Sequence, residues 1–275
     1  MSPVLQLDAS LTALRTRIRA IEAPGEYRVA SMGAPALDAA LPWGGLPRGC
    51  LHEIAGTPGD AGAAIGFAAA LVARLRAPQQ VARLRAPQQD ARLRAPQDGR
   101  LHAAHEEARQ VLWCVRGDTD SEVGALYAPG LRSFGLAPQQ VLLVRAATTA
   151  QVLWAMEEGL RAGGLAAVVA EVDDVDFSTS RRLQLAAEAR GVTALLIVPA
   201  LSAVSGAVTR WQLSSRGGEG ESLHPKWSVE LTRCRGGAPA AWEMEWNHAT
   251  NDFAVVAGVR DRSVESRPGL AQAAG

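Results

Sequence analysis

From Gly45 onward, short apolar runs alternate with longer stretches of helical character. CLHEIAG at 50–56, VLWCVRG at 111–117, VLLVRA at 141–146, AAVVAEV at 166–172 and TALLIVPA at 193–200 read as five strands. Their nearly unbroken apolar character predicts burial on both faces, and the stretches around 121–135, 149–162 and 178–190 are long enough for crossover helices. The expected fold class is therefore α/β, a doubly wound and mostly parallel sheet with helices on both faces. Beyond residue 208 the rhythm changes to TRWQLSS, WSVELTRCRGG, AWEMEW and FAVVAG, where apolar and polar positions alternate between Gly-rich turns. These predict antiparallel strands that extend the sheet at its C-terminal edge.

The ends of the chain read differently. Residues 8–22 place Leu11, Leu14, Ile18 and Ile21 at spacings of three and four, behind Asp8 or Ser10 as an N-cap and ahead of Pro24 and Gly25. This predicts an amphipathic helix within an N-terminal segment 1–27, either packed on the core or free to dock on another protein. A main domain follows over 28–260, and a polar, then Ala/Gly-rich tail over 261–275 is expected to be flexible. ARLRAPQ occurs at 73–79, 82–88 and 91–97, a period too short for a solenoid, with a proline in every copy. Two readings stand for the loop it forms at about 77–105: a lengthened exposed loop, or an arginine-bearing tether for nucleic acid.

Composition narrows the function. Lys plus Arg and Asp plus Glu are both 28, so no global field draws the chain to nucleic acid and any such contact must be local. Cys50, Cys114 and Cys234 lie far apart without a C-x-x-C pair, which suggests neither disulfides nor zinc and fits a reducing cytoplasm. No apolar run predicts a membrane span or a secretory signal. Lys226 is the single lysine in the chain.

That scarcity bears on the segment GLPRGCLHEIAG at 45–56, which reads as a turn, a strand and a terminal glycine. A phosphate loop would continue as G-x-x-x-x-G-K-[ST] into a helix. The continuation here is GTPGDAGAAIGF: Gly56, Gly59 and Gly62 keep the loop small, but Ala63 and Ala64 stand where lysine and a hydroxyl residue are required, and Asp60 brings negative charge toward the phosphate position. The expectation is a vestigial loop without high-affinity ATP binding and without a bound cofactor. The strand at 111 leads to Arg116, where an ATPase wants a carboxylate to orient water. Glu171 ends another strand, either as a second-motif acid or as the first of a solvated acidic run with Asp173, Asp174 and Asp176.

GLPRGCLHEIAG is similar to the lead-in and strand before the phosphate loop of RecA. LDAALPWGGLPRGCLHEIAG, FSTSRRLQLAAEARG, TRWQL, WSVELTRCRGG and WEMEW resemble the ImuA family from about residue 28 to 260, with the ARLRAPQ copies as a departure from its pattern. The resemblance implies a RecA-like core and a non-catalytic accessory role in damage-induced translesion DNA synthesis. It implies as partners an ImuB-like inactive relative of translesion polymerases, an error-prone C-family DNA polymerase and, further, RecA. Alternatives are a DNA-dependent ATPase of recombinase type and a damage-induced inhibitor of cell division.

Candidate contact residues are arginines. Arg181 and Arg182 follow Ser178 as an expected N-cap, and either cross to the acidic run at 171–176 or meet a partner's carboxylates or phosphates. Arg210, Arg233 and Arg235 interleave with Trp211, Trp227, Trp242 and Trp246, a mixture compatible with core packing, a protein interface or base stacking. Leu201–Val208 falls where a RecA-like protein has a DNA-contacting loop, yet holds no cation. His102, His105, Glu106 and Glu107 do not match H-E-x-x-H, and neither a metal nor a catalytic residue is expected.

Overall fold

The computed structural model describes residues 27–77, 110–117, 126–217 and 224–257. The N-terminal amphipathic segment, the ARLRAPQ copies beyond residue 77, His102, His105 and the tail lie outside the described residues.

A two-stranded antiparallel ribbon of β1 (Val29–Ala30) and β2 (Leu46–Pro47), with helix α1 (Pro35–Ala40) between, leads into the main sheet. The sheet comprises β3 (Leu51–Gly56), β4 (Val111–Arg116), β5 (Val141–Ala146), β6 (Ala167–Glu171), β7 (Thr193–Val198), β8 (Thr209–Ser215), β9 (Lys226–Cys234), β10 (Ala240–Asn247) and β11 (Asp252–Ala257). Its order is β11-β10-β9-β8-β3-β7-β6-β4-β5. Every pair from β5 to β8 is parallel and every pair from β8 to β11 antiparallel. All five apolar runs are strands, and the expected architecture holds with two corrections. β5, expected to be buried on both faces, is the edge strand and leaves Leu142 and Leu143 exposed. β8 is parallel to β3, and the antiparallel extension starts only at the β8–β9 pair.

Helices α2 (Ala61–Arg76), α3 (Thr149–Ala162) and α4 (Phe177–Arg190) divide between the two faces. On one face α2 buries Phe67, Leu71 and Leu75 against Ile54, Trp113, Trp211, Trp227, Trp242 and Trp246. Alanines at 63, 64, 68, 69 and 70 let this helix lie close to the sheet, while each large side chain removed from water contributes about 2–3 kcal/mol. On the other face α3 and α4 bury Val152, Met156, Leu160, Leu183 and Ala187 against Leu51, Ala55, Val168 and Leu196. Strands β3 and β7, covered on both faces, are buried throughout, whereas β9 and β10 alternate. Trp227, Val229, Leu231, Trp242, Met244 and Trp246 point inward. Lys226 faces Glu245 across the outer side, at 3.8 Å. Trp211, Trp227, Trp242 and Trp246 are thereby core residues.

The third crossover helix is not α-helical where it is described. Ala128–Phe134 forms a 3₁₀ segment with Pro129 in its first turn, stopped by Gly135 at φ 75°. Pro129 and Gly130 at the start and a left-handed residue at the end leave too short a run for an α-helix. Trp246 Nε1 donates to Ser133 O at 2.9 Å and holds the segment to β10.

Candidate functional site

The strand-to-helix loop is a tight turn whose polar groups are committed internally. Gly56 comes so near the following backbone that a Cβ there would sit 2.3 Å from Asp60 O. Thr57 N–H donates to Leu213 O at 2.8 Å, Asp60 N–H to Thr57 O at 2.8 Å, and Ala63 N–H to Asp60 O at 3.1 Å. Gly59 carries the positive φ of 79° that turns the chain into α2. Asp60 does not cap the helix with its side chain. Its carboxylate instead accepts the backbone N–H of Ser215 and the Ser215 hydroxyl, the latter at 2.7 Å, and ties the loop to the end of β8.

Helix α2 begins at Ala61, which places Gly62, Ala63 and Ala64 in its first turn, and the exposed positions of the loop and helix start are Pro58, Gly59, Ala61 and Gly62. Ala63 and Ala64 are only 2% and 1% exposed and pack in the core. None of these exposed positions carries a cation or a hydroxyl.

The neighbouring strand ends are equally self-occupied. Glu171 accepts Trp113 Nε1–H at 2.6 Å; burial pushes its carboxyl up, against the opposing effect of that hydrogen bond. Arg116 pairs with Asp173, which also accepts the Thr149 hydroxyl at 3.3 Å. Asp174 accepts the N–H of Val175 at 2.8 Å. Asp176, rather than Ser178, is the N-cap of α4: it takes the N–H of Thr179 at 2.6 Å, and that backbone hydrogen bond holds its carboxyl below the ordinary range. The acidic run is therefore a set of separate local contacts.

The candidate arginines are placed unequally. Arg182 donates to Glu157 on α3 at 2.7 Å rather than crossing to the acidic run. Arg181 is exposed one position earlier. Arg233 Nη1 donates to Ser205 O at 3.2 Å; Arg235 Nη2 donates to Gly206 O at 3.5 Å, and its Nη1 lies 3.9 Å from Glu188. Arg210 is corrected as a contact residue: it is 7% exposed, and its Nε donates to Glu53 Oε2 at 2.9 Å. Three of the five thus gather around Leu201–Val208, the helix-free connection from β7 to β8. Its carbonyls at 205 and 206 take Arg233 and Arg235, and Gly206 presses on the backbone of Arg181, where a Cβ would lie 2.8 Å from Cα.

Two buried polar residues went unmarked in the sequence reading. Glu53, 1% exposed, accepts from Arg210 and from the Ser205 hydroxyl, while Arg210 also reaches Ser202 O. His52 joins a chain of hydrogen bonds on the opposite face. Trp211 Nε1 donates to Thr209 Oγ1 at 2.7 Å, Thr209 Oγ1 lies 2.6 Å from His52 Nδ1, and His52 Nε2 lies 2.9 Å from Pro47 O. Because Pro47 O only accepts, Nε2 carries the proton and Nδ1 takes the Thr209 hydroxyl. Burial lowers the imidazole from 6.5 to about 4, so it is neutral. The signal for both was present: a His-Glu pair inside an otherwise apolar strand requires buried partners. Burial likewise pushes the Cys114 and Cys234 thiols up to about 12 and Cys50 higher still, away from nucleophilic chemistry.

Among the described residues no His, Cys, Asp or Glu side chains group as metal ligands, and no helix is long and apolar enough to cross a membrane. The mostly parallel sheet, helices on both faces, a glycine-bounded loop after a central strand and an antiparallel extension define a RecA-like α/β protein. No protein-family model matches the chain. Protein ImuA of Caulobacter vibrioides, from strains NA1000 / CB15N and ATCC 19089 / CIP 103742 / CB 15, is 32% identical over 266 residues, covering 86% of this chain and 92% of the relative. The chain belongs to the ImuA family.

Proposed function

We propose that this ImuA-family protein is a non-catalytic RecA-like adaptor of damage-induced translesion DNA synthesis. It works in the cytoplasm with an ImuB-like inactive polymerase relative and an error-prone C-family DNA polymerase, and RecA is a further partner. The observation that carries the reading is the loop after β3. Its exposed positions are Pro58, Gly59, Ala61 and Gly62, Asp60 is tied to Ser215, and Ala63 and Ala64 at the start of the helix face the core, so none of these positions supplies the cation or hydroxyl that grips phosphate and magnesium. Glu171 engaged by Trp113 and Arg116 engaged by Asp173 support the same reading, since neither is poised to orient a metal or a water.

Two measurements test it. Co-purification of the full chain with the ImuB-like protein and the polymerase is the expected result, and failure to bind either overturns the adaptor role. Titration with ATP is expected to give no saturable binding; micromolar affinity with DNA-stimulated hydrolysis would establish the recombinase-type ATPase instead.

A further inference from the structure

We propose that the outer face of α4, with the β7–β8 connection beside it, is a docking surface for an amphipathic helix of a partner protein that carries carboxylates next to its apolar stripe. The inference rests on the adaptor reading for its biological role and on geometry for its location.

Helix α4 turns Leu183, Gln184, Ala186 and Ala187 inward and leaves Phe177, Arg181 and Leu185 outside at a spacing of four residues. Positions so spaced share one helix face, a row about 12 Å long, which is the length of two turns of an opposing helix. Phe177 and Leu185 are 52% and 49% exposed. Val204, 59% exposed, stands on the adjoining connection two residues before Gly206, the residue that presses on Arg181. Large apolar side chains on a solvated helix are ordinary singly but informative when aligned in one strip.

The charge on the strip selects the partner. Arg181 has no hydrogen bond or ion pair among the described residues, whereas Arg182, Arg233 and Arg235 are tied to Glu157, Ser205 and Gly206. The nearby acids are already engaged. Asp176 caps the helix, and Glu188 accepts from Gln184 and Tyr27 and faces Arg235. The spare charge in the strip is thus a single guanidinium between two apolar anchors, which matches a carboxylate flanking an apolar helix face. Single-stranded nucleic acid fits less well, because Phe177 is the strip's one ring, Leu185 and Val204 offer none on which a further base could stack, and a lone arginine does not track a phosphate backbone.

The test is fluorescence anisotropy of the full chain against three labelled probes: a short helical peptide with Leu and Phe on one face flanked by Glu, its Lys-for-Glu counterpart, and oligo(dT). Saturable micromolar binding of the acidic peptide is expected, with the basic peptide weaker by about tenfold or more. Arg181→Glu should reverse that order, and Phe177→Ser with Leu185→Ser should weaken both peptides. These two side chains are about half exposed, so a small drop in thermal midpoint is expected, with the variant still fully folded at the assay temperature by circular dichroism. No binding of the acidic peptide, an unchanged order in Arg181→Glu, or oligo(dT) competing for the same surface would each overturn the proposal. Retention of the ImuB-like protein and the polymerase by the Arg181 and Phe177/Leu185 variants would also overturn it, and would leave the adaptor reading intact with docking elsewhere.

Discussion

Glu53 and Arg210 stand opposite one another on the paired strands β3 and β8, Oε2 to Nε at 2.9 Å, both almost fully buried beneath the β7–β8 connection. A parallel crossover normally covers the sheet with a helix, and here ten residues without one do so. What replaces helical packing is polar. The Ser205 hydroxyl and the Ser202 carbonyl close over the pair, and Arg233 and Arg235 hold the next two carbonyls from the rim.

Breaking that pair from one side should therefore be much worse than removing it. Arg210→Met leaves a carboxylate buried without its partner and is expected to cost about 3–5 kcal/mol, whereas Glu53→Leu with Arg210→Met should recover most of the loss. Urea unfolding of the two single variants and the double variant measures the cycle. Additive losses would show that the residues do not act as a pair.

The position of Ala63 and Ala64 in the core makes a second, opposite forecast to the one their spacing from Gly56 invites. If they were the vacated lysine and hydroxyl positions of a phosphate loop, Ala63→Lys with Ala64→Thr would restore nucleotide affinity. Both alanines lie in the first turn of α2 and are packed in the core, so the double replacement should instead lower stability by about 3 kcal/mol or more, with no saturable ATP binding by calorimetry. ATP binding by a stably folded variant would show that both positions can turn toward a phosphate.

That disagreement shows where the sequence was legible. Strand β8 follows its run to the residue, because a buried strand leaves a continuous or alternating pattern that neighbours cannot disguise; β5 does so too, but its apolar run hid that it is an exposed edge strand. The ImuA resemblance was likewise readable from contiguous motifs. The loop's conformation was not, because glycines at 56, 59 and 62 permit several turns, and what selects one is Asp60 meeting Ser215, 155 residues away. The role of Arg210 was hidden in the same manner. An arginine beside a tryptophan reads as a surface contact until the strand pairing sets it against Glu53. Arg182 and Asp176 show the local version, where a cap one or two residues earlier rotates which side chains face the next helix.

His52 gives the protein a pH dependence whose sign is fixed by its burial. Its imidazole titrates near the ordinary 6.5 when unfolded and near 4 when folded, so above 6.5 it is neutral in both states and adds no slope. Between 6.5 and 4 the unfolded chain takes a proton that the folded chain refuses, and stability falls progressively by about 3 kcal/mol in total. Glu171 works in the reverse sense: its raised folded pKa adds stability as pH falls, which masks part of the effect. The measurement is therefore best made in Glu171→Gln, where the amide oxygen can still accept from Trp113 Nε1 and no carboxyl titrates. In that background the urea midpoint should drop steadily as pH is lowered from 6.5 to 4. Adding His52→Gln, whatever it does to the stability at neutral pH, should remove the drop between 6.5 and about 5, leaving only the part near pH 4 where Asp176, held below its ordinary range, begins to titrate. A slope in that upper range that survives the loss of the imidazole would mean that another group takes up the proton, and that the Trp211–Thr209–His52–Pro47 chain does not hold the ring in its neutral form.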